Sequence, residues 1–344
     1  MKTIGVSLWG GQVRGAGPNH PTIVRPSTRP QPSVNVGARQ LFLNAYPRFG
    51  PVCRTMEEPG IAIIAIDDLT GRPAGIVRLC ARVDRHVAAI VGRHDACDLY
   101  LSTNPRLALR HLAIILDPVQ SWSRASTQVK YRVLDLRTTD GMLDEDGRQL
   151  RGLRAEGPAI LRCGGFSIFV LPLGDPSDWP VNPTDAWAMI PERVYFDELD
   201  HCAGGSLPGM TMPRMDGHQS VIMRTHGPRD TGMRLVSAGD IAGTIDMVTP
   251  HHHGTITVGE TALRDGVLLG RYARCDGAAL ADDPSLSRVH ALFIQIDDRL
   301  LAIDTASFNG TRIGDEQRAR VIAVEGGVEL RLGSHTRVRW TWIQ

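Results

Sequence analysis

The apolar residues of this chain come in short runs of four to six, each cut off by glycine, proline or aspartate. Between residues 61 and 171 they read IAIIAI, VAAIV, AIIL and FSIFVL, and between 255 and 342 TITV, VLLG, ALFIQI, LLAI and VRWTW. None sustains a 3.6-residue period with caps at both ends. Many brief runs separated by turn formers predict an antiparallel β-sandwich, so the fold class expected is all-β.

The runs repeat. GRHDACDLYL at 92–101 reappears as GRYARCDGAAL at 270–280, and each is followed by an Asx-Pro turn and then a histidine on an apolar stretch. Gly92 pairs with Gly270 at an offset of 178 and His111 with His290 at 179; beyond them Asp135 pairs with Asp304 at 169. EGPAILRCG at 156–164 pairs with EGGVELRLG at 325–333 at the same 169. The shift from 179 to 169 puts ten extra residues in a surface hairpin of the first copy, in SWSRASTQVKYR, where the second copy turns at Asp297-Asp298. Two sandwiches are therefore expected, over residues 46–173 and 236–344. Between them, 174–235 is a Pro/Gly-rich passage read as a linker with a short helix around Asp185–Leu199, and residues 1–45 read as an extended or disordered arm.

Composition narrows the partners. With 38 basic and 37 acidic residues the formal net charge is +1, so no global field draws nucleic acid or an anionic membrane, and anion binding must be local. Lys2 and Lys130 are the only lysines, an arginine bias that fits a GC-rich bacterial coding sequence. No apolar run is long enough for a signal peptide or a membrane helix, and the expected location is cytoplasmic. Six scattered cysteines without CxxC spacing read as buried thiols rather than as a zinc or disulfide framework. His251, His252 and His253 are adjacent, so on a strand or turn they cannot all face one ion; they read as a solvated turn. No metal and no cofactor is expected.

One ordered constellation carries chemistry: Gly270-Arg271, then Ser287-Arg288-Val289-His290-Ala291, then Asp304-Thr-Ala-Ser307-Phe308-Asn309-Gly310-Thr311. A phosphate dianion needs charge-assisted donors converging from separate loops, and arginine supplies a planar fork for its oxygens. Arg271, Ser287 and Arg288 are donors of that kind, and the turn formers of SFNG hold Asn309 in a tight loop. The set GR, SRxHA and SxNGT in this order resembles the forkhead-associated (FHA) family over roughly 238–344. That resemblance implies a twisted sandwich of about eleven strands with binding loops at one end. It further implies that Arg271 and Ser287 hold the phosphate of a phosphothreonine, that Asn309 grips the main chain of the bound peptide, and that His290 and Gly270 brace the loops. Ser307, Gly310 and Thr311 complete that support, while Phe308, with Ser285, tunes the residue preference. Ser287, His290 and Asp304 also make a nominal hydrolase triad, but no GxSxG elbow or oxyanion loop accompanies them, and no catalytic residue is assigned.

In the first copy Ala108-Leu109 stand in place of Ser287-Arg288, and Asp140 and Met142 in place of Asn309 and Thr311; Arg93 and His111 are retained. A lost hydroxyl and a gained carboxylate disfavour phosphate there, although Arg110, Thr138 and Thr139 lie near enough to rebuild an anion site. The first copy is thus expected to be a degenerate FHA-like domain that serves packing, self-association or a phosphate-independent contact. The function expected is a non-enzymatic adaptor that docks onto a threonine-phosphorylated protein or peptide, downstream of a separate Ser/Thr protein kinase or on its substrate. The alternative is a phosphate-independent scaffold component of a larger assembly such as a bacterial secretion or injection system.

Overall fold

The computed structural model describes residues 37–119, 129–191, 195–196, 221–226, 241–277, 282–314 and 317–343. Within them the apolar runs become the strands of four sheets. The first sheet orders strands 73–80, 60–67, 166–173, 159–163, 142–144 and 149–150; the second orders 195–196, 152–155, 131–135, 112–116, 87–92 and 99–100. The third runs 267–269, 291–296, 299–304 and 321–323, and the fourth 221–226, 253–259, 241–248, 336–342, 329–332 and 311–313. Pairing is antiparallel except for the short parallel contact of Val91 with Leu99.

The sheets stack in that order. Ile61, Ile63 and Ile168 of the first sheet meet Val91, Ile114 and Val133 of the second, which makes one sandwich. Phe293 and Leu269 of the third meet Ile256, Val338 and Trp340 of the fourth, which makes the other. The opposite faces of the second and third sheets then pack on each other, Ile90, Ala113 and Ile115 against Leu268, Leu292, Ile294 and Ile303. This stacking explains why the inner strands are apolar at nearly every position: Leu112–Leu116 is buried throughout because both of its faces are covered. In the fourth sheet, 253–259 instead alternates between buried and half-buried positions beyond the exposed His253.

The registers of the two copies coincide. Leu112 pairs with Asp135 in the first and Ala291 with Asp304 in the second, the equivalent residues at offsets of 179 and 169. The tight turn of the second copy uses Asp297 at φ 51°, a left-handed position that aspartate tolerates. The longer hairpin expected in the first copy falls mostly at 120–128, outside the described residues.

Two expectations need correction at the edges. A helix, Ala38–Arg54, stands where the arm was expected to end and the first sandwich to begin. It lays Phe42, Tyr46, Phe49 and Cys53 on Ile64, Phe169 and Leu171, the outer face of the first sheet. The start of the expected linker also belongs to this layer: Trp179 and Ala186 are buried against the helix, and the Tyr46 hydroxyl donates to Pro180 O at 2.6 Å. The short helix expected near Asp185 is Pro183–Met189, capped by the Asn182 side chain. Backbone 221–226, also placed in the linker, pairs with 253–259 as an edge strand of the fourth sheet. The arm's residues 1–36 and most of the linker lie outside the described residues.

Candidate functional site

Three loops at one end of the second sandwich bring the constellation together. The backbone N–H of Arg271 donates to Ser287 O at 3.1 Å and that of Tyr272 to Arg288 O at 2.8 Å. Gly270 permits this approach, because a Cβ there would sit 2.4 Å from Arg288 O. The exposed Arg271 side chain donates from Nε to Leu286 O at 2.6 Å, which ties the guanidinium to the 285–288 loop. Arg288 is exposed beside it.

His290 pins this loop to the next. It is fully buried, and its Nδ1 accepts the Ser287 N–H at 3.1 Å. Nδ1 is therefore unprotonated, and Nε2 carries the hydrogen that it donates to Gly310 O at 3.2 Å. Burial lowers the imidazole pKa despite the nearby Asp304 carboxylate, so the neutral form is the working one.

Asp304 is the hub of the 304–311 loop. It accepts from the Ser307 N–H at 2.8 Å, the Ser307 hydroxyl at 2.5 Å and the Thr311 hydroxyl at 2.8 Å. Ser307 Oγ in turn accepts the Gly310 N–H at 2.9 Å, and Gly310 takes φ 79°. The loop so held presents Phe308, 76% exposed, and Asn309, whose Nδ2 donates to Ser285 O at 2.8 Å and whose Oδ1 stays open for a peptide N–H. Asp283 secures the far side. Its buried carboxyl accepts from the Ser285 N–H at 2.8 Å and the Thr336 hydroxyl at 2.9 Å; burial alone would raise its pKa, but these hydrogen bonds prevail and lower it.

Ser287 stands at the centre. Its Oγ accepts the Phe308 N–H at 3.0 Å, so its own hydroxyl hydrogen is available to an anion outside. The arrangement offers one hydroxyl and two exposed arginines as donors suited to a tetrahedral dianion, and the Asn309 amide oxygen as an acceptor suited to the N–H of an extended peptide. Sequence reasoning did not include Asp304 or Asp283 among the supports, nor Arg312 and Arg318, which donate to Asn309 O at 3.2 Å and Phe308 O at 3.1 Å.

The first copy reproduces the brace without the mouth. His111 Nδ1 accepts the Ala108 N–H at 3.1 Å and Nε2 lies 2.8 Å from Gly141 O; Arg93 Nε donates to Leu107 O at 3.1 Å; Thr138 Oγ1 donates to Asp135 at 2.6 Å. Asp140, at the place of Asn309, pairs with Arg106 at 3.2 Å, where Asn309 bonds Ser285. Of the residues that were expected to be available for rebuilding an anion site here, Thr138 is committed to Asp135, and Arg110 points into the second sandwich. The histidine triplet at 251–253 is exposed: His251 and His252 lie in the turn between two strands, with their N–H groups on Thr249 Oγ1, and His253 opens the strand 253–259.

No family model matches the chain and no curated protein matches it. Among solved structures it is similar to the Slr1951 protein from Synechocystis sp., 20% identical, covering 30% of this chain and 99% of that one at a TM-score of 0.26. Mycobacterium tuberculosis EmbR in complex with a low affinity phosphopeptide is 17% identical over 28% of this chain and 24% of that one, at 0.24. The yeast Dun1 FHA domain in complex with a doubly phosphorylated peptide is 19% identical over 34% and 84%, also at 0.24. Likenesses this partial assign neither family nor ligand, and the reading below stands on residues and geometry.

Proposed function

We propose that the chain is a phosphothreonine-peptide-binding adaptor of FHA type, with one working site on the second sandwich. The observation that carries this reading is the convergence of Arg271, Ser287, Arg288 and Asn309 on loops braced by His290 and Asp304, with the guanidiniums and the Ser287 hydroxyl as donors and the Asn309 amide oxygen as acceptor. Arg271 and Ser287 take the phosphate, Arg288 adds a second cation at its edge, and Asn309 with Phe308 receives the peptide main chain and a flanking side chain. Gly270, Ser307, Gly310 and Thr311 hold these in place. The ligand is a threonine-phosphorylated protein or peptide supplied by a separate Ser/Thr kinase. The first sandwich retains the brace and serves packing within the chain.

Calorimetry of the full chain against a degenerate phosphothreonine-peptide library, its unphosphorylated counterpart and the Arg271→Ala variant tests this. Wild type should bind only the phosphorylated peptides, and Arg271→Ala should lose at least about tenfold, the worth of a charge-assisted hydrogen bond. Absence of binding by wild type would sink the reading in favour of a phosphate-independent scaffold.

A further inference from the structure

Arg110 belongs to the first sandwich, yet its side chain is built into the second. It is 7% exposed and crosses the interface between the second and third sheets. Its Nε and Nη2 donate to Ala306 O at 3.1 and 2.6 Å, and Nη2 lies 3.5 Å from Ser287 Oγ. Ala306 takes φ 62°, so the bond to its carbonyl holds a left-handed residue at the start of the segment that carries Phe308 and Asn309.

The two copies show that this contact is one-sided. At the position equivalent to Arg110 the second copy has Val289, which contributes only apolar surface to the interface. The carbonyl equivalent to Ala306 O is that of Arg137, also left-handed at φ 54°, and it receives Arg274 Nη1 at 3.1 Å from a different place in the fold. Arg274 therefore braces the copy without donors, and Arg110 braces the copy with them.

Charge gives the contact a second meaning. A buried guanidinium stays protonated, and a buried cation is normally compensated by a carboxylate. Among the described residues no carboxylate lies within ion-pair distance of Arg110; its acceptors are a carbonyl and a hydroxyl. A phosphate oxygen accepting the Ser287 hydroxyl at about 2.7 Å would come within about 6 Å of Nη2, since the two steps sum to little more than that. The Phe308 N–H and Arg110 Nη2 both approach the lone pairs of Ser287 Oγ, which turns its hydrogen outward.

We infer that Arg110 is a positioning residue of the phosphate site, supplied by the degenerate sandwich to the working one: it holds Ala306, aims the Ser287 hydroxyl and lends a buried positive charge to the bound dianion. This inference rests on the phosphothreonine reading above.

The test compares full-length wild type with Arg110→Gln, Arg110→Lys, Arg137→Gln and Arg271→Ala, using the best binder from the phosphothreonine library. Arg137 spans the same interface, donating to Arg274 O at 3.2 Å, Asp276 at 2.7 Å and Gly266 O at 3.1 Å, with no hydrogen bond to Ser287 or to the 304–311 loop. Arg110→Gln should weaken binding about tenfold to a hundredfold and shift the Phe308 amide proton resonance, with Arg110→Lys falling between it and wild type. Arg137→Gln should lower the thermal midpoint and leave affinity and that resonance unchanged. If Arg110→Gln does not fold, Arg110→Lys reads the same two quantities. Wild-type affinity in both Arg110 variants alongside lost affinity in Arg271→Ala would overturn the inference while leaving the phosphothreonine reading intact. Equal losses in Arg110→Gln and Arg137→Gln would overturn it as well, by reducing Arg110 to general interface stability, and failure of wild type to bind would overturn both.

Discussion

At the scale of single residues, the proposed site rests on a histidine that is fully buried beneath it. His290 must be neutral to accept the Ser287 N–H while donating to Gly310 O, and protonation at Nδ1 would set two hydrogens against each other at 3.1 Å. Its pKa in the folded chain lies below the ordinary 6.5, chiefly through burial. The unfolded chain therefore takes up the proton first as pH falls, and the stability contributed by neutral His290 is present above about 6.5 and lost on acidification through the interval down to the folded value. His290→Gln removes this titration, so the stability difference between wild type and variant, measured by urea unfolding at pH 7.5 and 5.5, should narrow at the lower pH; a gap that widens would mean a raised pKa and a charged brace. His290 and Gly270 entered the sequence reading as braces through the FHA resemblance, and the duplication added the contrast, with Ala108 at the place of Ser287 and Asp140 at that of Asn309. Arg110 could not be read this way, since its acceptor lies 196 residues along the chain and in the other copy.

At the scale of elements, the strands were readable because burial on one or two faces writes itself into alternation or into continuous apolar runs. The helix Ala38–Arg54 was hidden by Pro47 and Pro51, which argue against a helix interior by roughly 3 kcal/mol each. Both prolines face solvent, four residues apart, while Leu41, Phe42, Ala45, Tyr46, Phe49 and Cys53 keep the helical period on the buried side. Packing thus overrides propensity: Phe42 stacks on Tyr46 at 5.2 Å between centroids, meets Phe49 at 5.3 Å and reaches Trp187 at 5.1 Å. Phe49→Ala should destabilise the chain by about 3–5 kcal/mol, as for other buried phenylalanines, in chemical denaturation at neutral pH. Because the helix caps the first sheet and the site sits on loops of the second sandwich, phosphopeptide affinity should be unchanged in the folded fraction.

At the scale of the whole molecule, the interface between the second and third sheets decides whether the chain behaves as two sandwiches or one. Ile90, Ile115, Ile294 and Ile303 are fully buried there, and the rim is closed by Arg137 with Asp276 at 2.7 Å and Arg320 with Asp98 at 3.3 Å. The two aspartates are equivalent in the repeat, and each also accepts a strand N–H of its own copy, Ile90 at 2.8 Å and Leu268 at 2.9 Å. An interface this apolar joins its halves as a core does, so calorimetry of wild type should show one cooperative transition. Ile294→Asp places a carboxylate among Ile90, Ala113 and Ile115 without a partner, a change of several kcal/mol against the docked arrangement, and the transition should split into two. The separated second sandwich retains Arg271, Ser287 and Asn309 but loses Arg110, so its affinity for a phosphothreonine peptide should fall to that of Arg110→Gln and no further. A single transition that persists at lower temperature would show instead that the aspartate is tolerated in place and that the sandwiches do not separate before they melt.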